Sequence, residues 1–533
     1  MKKLPLGIQN FNKIVEGDYV YVDKTQYIYN LINGANYYFL SRPRRFGKSL
    51  LLDTISEVFN GDRELFKGLW IYGSDYDFAK HPVIRLDMSN ISNDTPEVLK
   101  KSIITALIRR SKEENINITD ETPSDMFKIL IEELHIKYGQ RVVVLIDEYD
   151  KPILDHLTDI EKAGANRQVM RGFYGILKSM DPCLRFVFIT GVSKFTKTSI
   201  FSGLNNILDI TMFEEYANIC GVPIDEFNNY FGEHIKDLSE MERFKKYENI
   251  HDTILSWYDG YSWDGKTKLL NPYSLLCFFA AKKFMNYWYV SGSPMFLINM
   301  IKEKPETVTN LNNYEINEWM MDAFDIHQIL IESLLFQTGY LTVKEIIETT
   351  GEPGYALEIP NFEVKDAFDI HILSGLTENS IAEAGRAQRE IAKALAKGDL
   401  PRMLEMLRSL FASIPYSLHV NREAYYHSIF YAVMSVLGFD MDVEAATSKG
   451  RIDAALELGD KVYVMEFKYC KCPSDASEEE KRALFDKTLS EAMEQINSRE
   501  YAKKYIGSGK AVYQAAFAFL GRDDIEMRFI ALN

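Results

Sequence analysis

The chain has 533 residues, 46% of them hydrophobic and 26% charged, with 30 Gly and 16 Pro, a balance that excludes disordered and collagen-like chains. At roughly 100 to 200 residues per domain, this length supplies about three units, each able to bury its own core. Lys and Arg number 61 against 77 Asp and Glu, a formal charge of -16, so any nucleic-acid contact must be a local basic groove. The five cysteines, Cys183, Cys220, Cys277, Cys470 and Cys472, are spaced irregularly, give no disulfide framework and point to a reducing, cytoplasmic setting. Met1-Lys2-Lys3 is positive, but Gly7, Gln9, Asn10 and Asn12 interrupt the apolar core of a signal peptide. Runs such as Leu275 to Ala281 fall far short of the about 20 residues that cross a bilayer, so no membrane partner is expected.

In chain order, the first two hundred residues alternate β-rich runs with amphipathic stretches. The runs are Tyr37 to Leu40, Val83 to Asp87, Val142 to Ile146 and Leu184 to Thr190, and they predict an α/β domain over 1–210. From Phe213 to about Tyr340 the pattern is helical and aromatic, with Trp257, Trp263 and Trp288 and breaks at Asn271-Pro272 and Ser293-Pro294. It reads as a helical lid or second domain, 211–345. Gly339 to Val343, the turn Gly351-Glu352-Pro353-Gly354 and Tyr355 to Ile359 predict a β-hairpin such as the wing of a winged-helix unit. Glu378 to Leu410 predicts two Ala- and Leu-rich helices, which complete a hairpin and helical linker region, 346–414. After Pro415 the order helix, two strands, helix, strand, ending at Phe529 to Leu532, predicts a separate α/β domain, 415–533.

The strand Tyr37 to Leu40 runs into Ser41-Arg42-Pro43-Arg44-Arg45-Phe46-Gly47-Lys48-Ser49 and the helix-like Leu50 to Phe59. Strand, loop and helix are the context of a phosphate-binding loop: backbone N–H groups and the helix N-terminus hold the phosphates, Lys48 reaches the β and γ oxygens, and Ser49 ligates Mg²⁺. Gly47-Lys48-Ser49 is intact. Arg42 stands where the first glycine of the G-x-x-x-x-G-K-[ST] pattern belongs, so the loop must take its path with a side chain present. Arg42, Arg44 and Arg45 find a partner for their charge in a polyphosphate. The apolar strand Val142 to Ile146 ends in Asp147-Glu148; acids often end buried strands, yet Asp147 is suited to hold the metal through water and Glu148 to polarise the attacking water. Thr190, ending the next apolar strand, is suited to sense the γ-phosphate. ATP and Mg²⁺ are therefore the expected cofactors. Upstream, Asp23-Lys24-Thr25-Gln26 reads as an Asp capping box with Gln26, ahead of any role at the nucleotide.

In the C-terminal domain, Arg451 to Leu458 and Lys461 to Lys468 are β-like runs around Gly459-Asp460, a two-residue hairpin signal. In that hairpin the numbers of opposed residues sum to 919, which puts Asp453 opposite Glu466. Like charges so placed destabilise a sheet, so a cation should sit between them. Lys468 shares the face of Glu466, while Tyr463, Met465 and Phe467 point the other way. A divalent oxygen-loving ion such as Mg²⁺ fits the two carboxylates, with Lys468 orienting or deprotonating the attacking water. The competing reading is a solvent-facing strand with a surface Glu-x-Lys, but Val462 and Val464 on the same face argue for a covered surface. Arg422 to Leu437 carries Glu423 and His427 one turn apart; His427 reads as a partial-core residue. Phe485, Leu489, Ala492, Met493 and Ile496 form a helical apolar stripe with Gln495 at its border. Residues 401–533 hold 17 Lys and Arg against 20 Asp and Glu, so this end can carry a basic groove, with Arg451, Lys471, Arg482, Arg499, Lys503 and Lys504 as candidates. Cys470-x-Cys472 without a second Cys or His pair reads as two free thiols.

Tyr21 to Thr25, Arg42 to Ser49, Asp147-Glu148-Tyr149-Asp150, Thr190 to Phe195, Phe201 to Asn206 and Asn271 to Ser274 resemble the AAA-ATPase-like family over roughly residues 4 to 300. There the Arg-for-Gly loop is the usual form. The resemblance implies the ASCE type of P-loop sheet, with one strand between the loop strand and the acidic strand. Residues 415 to 525 resemble the PD-(D/E)XK nuclease superfamily, whose helix, Asp, Glu-x-Lys, helix order matches Glu423, Asp453, Glu466, Lys468 and Gln495. That implies a restriction-endonuclease-like α/β domain in which Glu423, Asp453 and Glu466 hold metal. The proline of the superfamily's name is absent from Gly450-Arg451-Ile452-Asp453.

The sequence therefore predicts an ATPase whose nucleotide state gates a metal-dependent nuclease acting on nucleic acid, DNA ahead of RNA, in a homo-oligomer and in defence against foreign nucleic acid. Two alternatives stand beside it. One is a switch whose C-terminal domain only binds nucleic acid or protein; the other is a signalling ATPase with a vestigial nuclease fold.

Overall fold

A computed structural model describes residues 1–194, 200–201, 204, 206–288, 314–317, 320, 324–325, 328–348, 351, 353–377, 381–412, 441–443, 446–447, 450–451, 454–470, 476–498, 501–506, 509–520 and 524–532. The described residues form two compact units, one within Met1–Ser291 and Asn312–Val364 and the other within Lys365–Asn533.

The first unit is built on five parallel strands: β1 (Tyr37–Ser41), β2 (Val83–Asp87), β3 (Val142–Asp147), β4 (Leu184–Gly191) and β5 (Leu208–Asp209). Their order is β2-β3-β4-β1-β5. β4 thus lies between the loop strand and the acidic strand, the ASCE arrangement, with Leu40 beside Thr190 and Ile146 beside Ile189. Near-continuous burial of β1, β3 and β4 explains their unbroken apolar runs, since a parallel sheet is covered on both faces. The covering helices start on side-chain caps: Thr95 and Thr122 accept from Val98 and Asp125 N–H groups, each with a proline following. At Thr25–Asn33 the start differs from expectation. Asp23 accepts from the Thr25 N–H and hydroxyl and from the Trp70 N–H, so it braces a local turn and a distant segment, with no reciprocal contact from Gln26.

The helical middle follows within the same unit. Ile224–Glu240, Ile250–Tyr258 and Pro272–Ala281 share a phenylalanine-rich core that includes Phe227, Phe231, Phe278 and Phe279. The expected hairpin is present as β7 (Thr342–Ile347) paired with β8 (Gly354–Glu358), and β6 (Glu315–Asn317) adds a third strand.

The second unit holds a five-stranded sheet of order β9 (Met441–Val443), β10 (Ala454–Leu458), β11 (Lys461–Cys470), β12 (Ala511–Leu520) and β13 (Asp524–Leu532). β10 and β11 pair antiparallel from Ala454 with Met465 to Leu458 with Lys461, so every described pair sums to the expected 919. β11 and β12 are parallel, joined through the helix Glu478–Ser498 as a crossover requires. The sequence pattern anticipates one strand after that helix, and the structure has two. β12, Ala-Val-Tyr-Gln-Ala-Ala-Phe-Ala-Phe-Leu, is poor in β-branched residues; its alanines are dictated by the helix packed on them, with Ala516 and Ala518 in one core with Ala492 and Ile496. The two predicted Ala- and Leu-rich helices run Ile381–Lys397 and Leu400–Ala412 and cover the other face, where the Tyr463 hydroxyl donates to Leu395 O and Phe411 meets Phe519.

One buried acid in the first unit has a measurable cost. Glu363 is fully buried and accepts from the Tyr287 and Trp288 N–H groups, the latter at 2.9 Å. Burial pushes its carboxyl up to about 7 against the opposing pull of those donors. The unfolded chain ionises near 4.5, so the folded unit loses stability as pH rises from 4.5 to 7. Glu363→Gln keeps an acceptor oxygen and is expected to match the native chain at pH 4.5 and exceed it by about 3 kcal/mol at pH 8. Denaturant unfolding at both values checks this; an equal loss at both would contradict it.

Candidate functional site

The parallel strands of the first unit all point one way, and their carboxyl ends collect the predicted nucleotide residues. β1 ends at Ser41, whose N–H donates to Thr211 Oγ1 and whose hydroxyl donates to Val192 O. The loop then turns through Arg45 at φ +68° and Gly47 at φ +96° before helix α1 (Lys48–Asn60). A side chain at Gly47 meets nothing within 4 Å, so its left-handed backbone, not crowding, selects glycine. Lys48 is buried and its Nζ donates to Arg42 O and Pro43 O, both at 2.9 Å. Burial holds its pKa down, with Asp147 and Glu148 pulling it back up. Ser49 hydrogen-bonds the Asp147 carboxylate; burial raises the Asp147 pKa, opposed by Ser49 and then Lys48.

Glu148 follows at φ +48°, half-buried, its carboxyl raised first by burial and opposed by Lys48. A non-glycine residue held there is strained, and the turn aims Glu148 into an open cleft of about 1260 Å³ shared with Arg44, Arg45, Gly47, Lys48 and Ser49. Asp150 is a structural neighbour: it accepts from the Val192 and Ser193 N–H groups and the Ser193 hydroxyl. Gly191 must be glycine because a Cβ there would lie 2.6 Å from Asp150 Oδ1 and 2.5 Å from the Tyr149 ring. Thr190 is fully buried, and its Oγ1 has no hydrogen-bond partner among the described residues, an uncommon state that calls for a ligand, ion or water.

Two features were not anticipated. Arg42 does not face the cleft: it is 0% exposed, and its guanidinium is consumed by protein carbonyls and Trp263. Arg42 is thereby removed from the three arginines expected to share a polyphosphate's charge; Arg44 and Arg45 are exposed, Arg45 lying 4.5 Å over Tyr273. The cleft is also walled by Gly7, Ile8 and Gln9, by Lys151, and by Pro272 and Tyr273. Only the Asn271-Pro272-Tyr273-Ser274 string signalled any of this. An adjoining apolar recess of about 650 Å³ is lined by residues including Val20, Val22, Phe46, Leu50 and Val222.

In the second unit Glu466 is 0% exposed on β11. Lys468 Nζ lies 3.3 Å from its Oε1, and the Gln495 amide, reaching down from the helix Glu478–Ser498, donates to the same oxygen. Beside them on β12 stand Ala516 and Ala518, side chains small enough to leave room for a carboxylate and an ammonium under the helix. Val462 and Val464 share this covered face, as the sequence pattern expects. Asp453, Glu423 and His427 lie outside the described residues, as do Lys471 and Arg499. Among the described residues no group of three or more His, Cys, Asp or Glu side chains could hold a metal; of the three carboxylates expected to hold one in this unit, Glu466 alone is described. Cys470 is buried, and its thiol is hydrogen-bonded to Thr488. No described helix is long and apolar enough to cross a membrane.

Comparison with known proteins accords with both regions. Residues 5–201 match the family model described as "Predicted AAA-ATPase", and residues 421–528 match "PD-(D/E)XK nuclease superfamily". Two solved structures of the Drosophila ORC, with GC-rich DNA and Cdc6 and with poly(dA/dT) DNA and Cdc6, align at 10% and 11% identity with TM-scores of 0.24 and 0.23. They cover 80% and 94% of this chain, which spans 58% and 64% of theirs; likeness at that level carries no argument. The "Uncharacterized protein in vnfD 5'region" of Azotobacter chroococcum mcd 1 is 36% identical over 525 residues, 97% of this chain and 96% of its own length. The chain belongs to one family with that protein, and it joins an AAA-ATPase-like domain to a PD-(D/E)XK nuclease superfamily domain.

Proposed function

We propose that the protein is an ATP-driven or ATP-gated nuclease: nucleotide bound at the Lys48 loop controls metal-dependent phosphodiester cleavage at Glu466 and Lys468. One observation carries the output. β11 buries the Glu466 carboxylate in an otherwise apolar layer, pairs it with the partly exposed Lys468 and supports it with Gln495. A buried carboxylate costs more than an apolar residue of similar volume, so packing gives no reason for Glu466 and chemistry does.

In the first unit, the loop N–H groups and the α1 N-terminus are suited to hold phosphates, with Arg44 and Arg45 at the cleft and Lys48 moving from the loop carbonyls to the β and γ oxygens. Ser49 and Asp147 form the donor pair for Mg²⁺, which would offset phosphate charge there. Glu148, its carboxyl raised by burial, orients water and accepts a proton from it, and Thr190 offers its spare hydroxyl to the γ-phosphate. The apolar recess behind Gly47 suits a nucleotide base. In the second unit, Glu466 supplies one carboxylate oxygen for a divalent cation, Lys468 orients the attacking water, and Gln495 fixes the carboxylate. Asp453 and Glu423 complete this proposed set. Nucleic acid, DNA ahead of RNA, is the proposed substrate, and joining the two activities on one chain suits defence against foreign nucleic acid.

The test is incubation of the full chain with DNA and RNA, single and double stranded, with and without ATP and Mg²⁺. Cleavage should require the metal and change with ATP. Glu466→Ala and Lys468→Ala are expected to reduce cleavage at least a hundredfold while retaining the fold by circular dichroism; nucleic-acid binding unchanged in both, with no cleavage by the native chain, favours the non-catalytic switch. Lys48→Ala should weaken ATP binding at least tenfold, and Glu148→Gln should bind ATP but turn it over at least a hundredfold more slowly. Equal turnover in Glu148→Gln removes it from the water-activating role.

A further inference from the structure

The residue that breaks the phosphate-loop pattern is the most heavily anchored one in the loop. Arg42 is the largest fully buried side chain described. Its Nη1 donates to Ser41 O and Thr211 O, both at 2.9 Å, and its Nη2 to Tyr216 O at 3.2 Å and Ala217 O at 3.5 Å. The guanidinium carbon lies 4.1 Å from the Trp263 ring centroid. Burial lowers its pKa to about 10, so the side chain remains a cation, solvated by four carbonyls and an indole face in place of a carboxylate. Four residues on, Phe46 is equally buried and meets Tyr261 and Trp263 edge to face, at 4.8 and 5.2 Å. Arg44 and Arg45, between these two anchors, are exposed.

The carbonyls of Arg42 and Pro43 are the same groups that hold Lys48. Fixing Arg42 therefore fixes the start of the loop and the resting place of its lysine. A planar fork is needed, because one nitrogen reaches Thr211 and the other reaches Tyr216 and Ala217; a lysine has one nitrogen and cannot span both.

We infer that Arg42 is a positioning residue that preorganises the phosphate loop by tying it to residues 211–217 and Trp263, doing by anchorage what the usual first glycine does by freedom. The inference rests on the nucleotide reading above. Preorganisation lowers the ordering cost of binding and leaves the bound state unchanged, so its loss shows in affinity more than in turnover.

Arg42→Lys and Arg42→Gly in the full chain test this, the second restoring the common motif. Both are expected to weaken binding of N-methylanthraniloyl-ATP at least tenfold, with turnover at saturating ATP within threefold of native for Arg42→Lys. Hydrogen exchange should rise together in peptides covering 42–49 and 211–217, at unchanged exchange in the helix Pro123–Tyr138. Native affinity in Arg42→Gly, or exchange unchanged at both segments in Arg42→Lys, overturns the proposal. If the native chain binds no nucleotide, the nucleotide reading fails by itself, and the exchange result alone decides Arg42.

Discussion

Everything at the nucleotide end depends on the parallel pairing of Tyr37–Ser41 with Leu184–Gly191. Because all five strands of the first sheet run the same way, their polar carboxyl ends emerge on one edge, and residues a hundred positions apart become neighbours. Ser49, Asp147 and Thr190 are brought there by backbone hydrogen bonding, before any side-chain interaction acts. The buried apolar runs that form the strands cannot hold charge, so the polar residues gather where the runs end. This is the general position of ligand sites in open α/β sheets.

The second unit solves a different problem. A carboxylate beneath a helix needs space, donors and a counter-charge, and these come from three elements. Ala516 and Ala518 on β12 leave the space, Gln495 on the helix gives the amide, and Lys468 on β11 gives the ammonium. Such an arrangement is costly for folding, and local rules are broken in this way most often at functional sites.

Legibility from sequence followed the strength of local rules. Four strands of the first sheet are readable because burial leaves them runs rich in Val, Ile, Leu and Phe, whereas the two-residue, uncovered β5 leaves no such run, and the β10–β11 register is readable because a two-residue turn leaves one pairing. β12 is not, since its alanines answer to a helix that packs on it from elsewhere. Lys468 and Gln495 could be assigned to faces by periodicity, but their meeting at one oxygen of Glu466 depends on the crossover geometry. Arg42 was the hardest. A cation in a loop that suits phosphate points by charge to the ligand, and only the fold brings up the carbonyls of 211–217 and the Trp263 ring that claim it instead.

The lysine resting on two loop carbonyls has a consequence for selectivity. An anion entering the cleft competes with an internal ligand that already satisfies the ammonium, so it gains only the difference between the two. A single small anion, offering one or two acceptor oxygens, has little surplus to dislodge the side chain. A chain of phosphates that engages the amides, the helix end and the exposed arginines at once has more. On the nucleotide reading proposed above, the loop would set a threshold that favours a polyphosphate over a single small anion, because either must displace a contact the protein makes with itself.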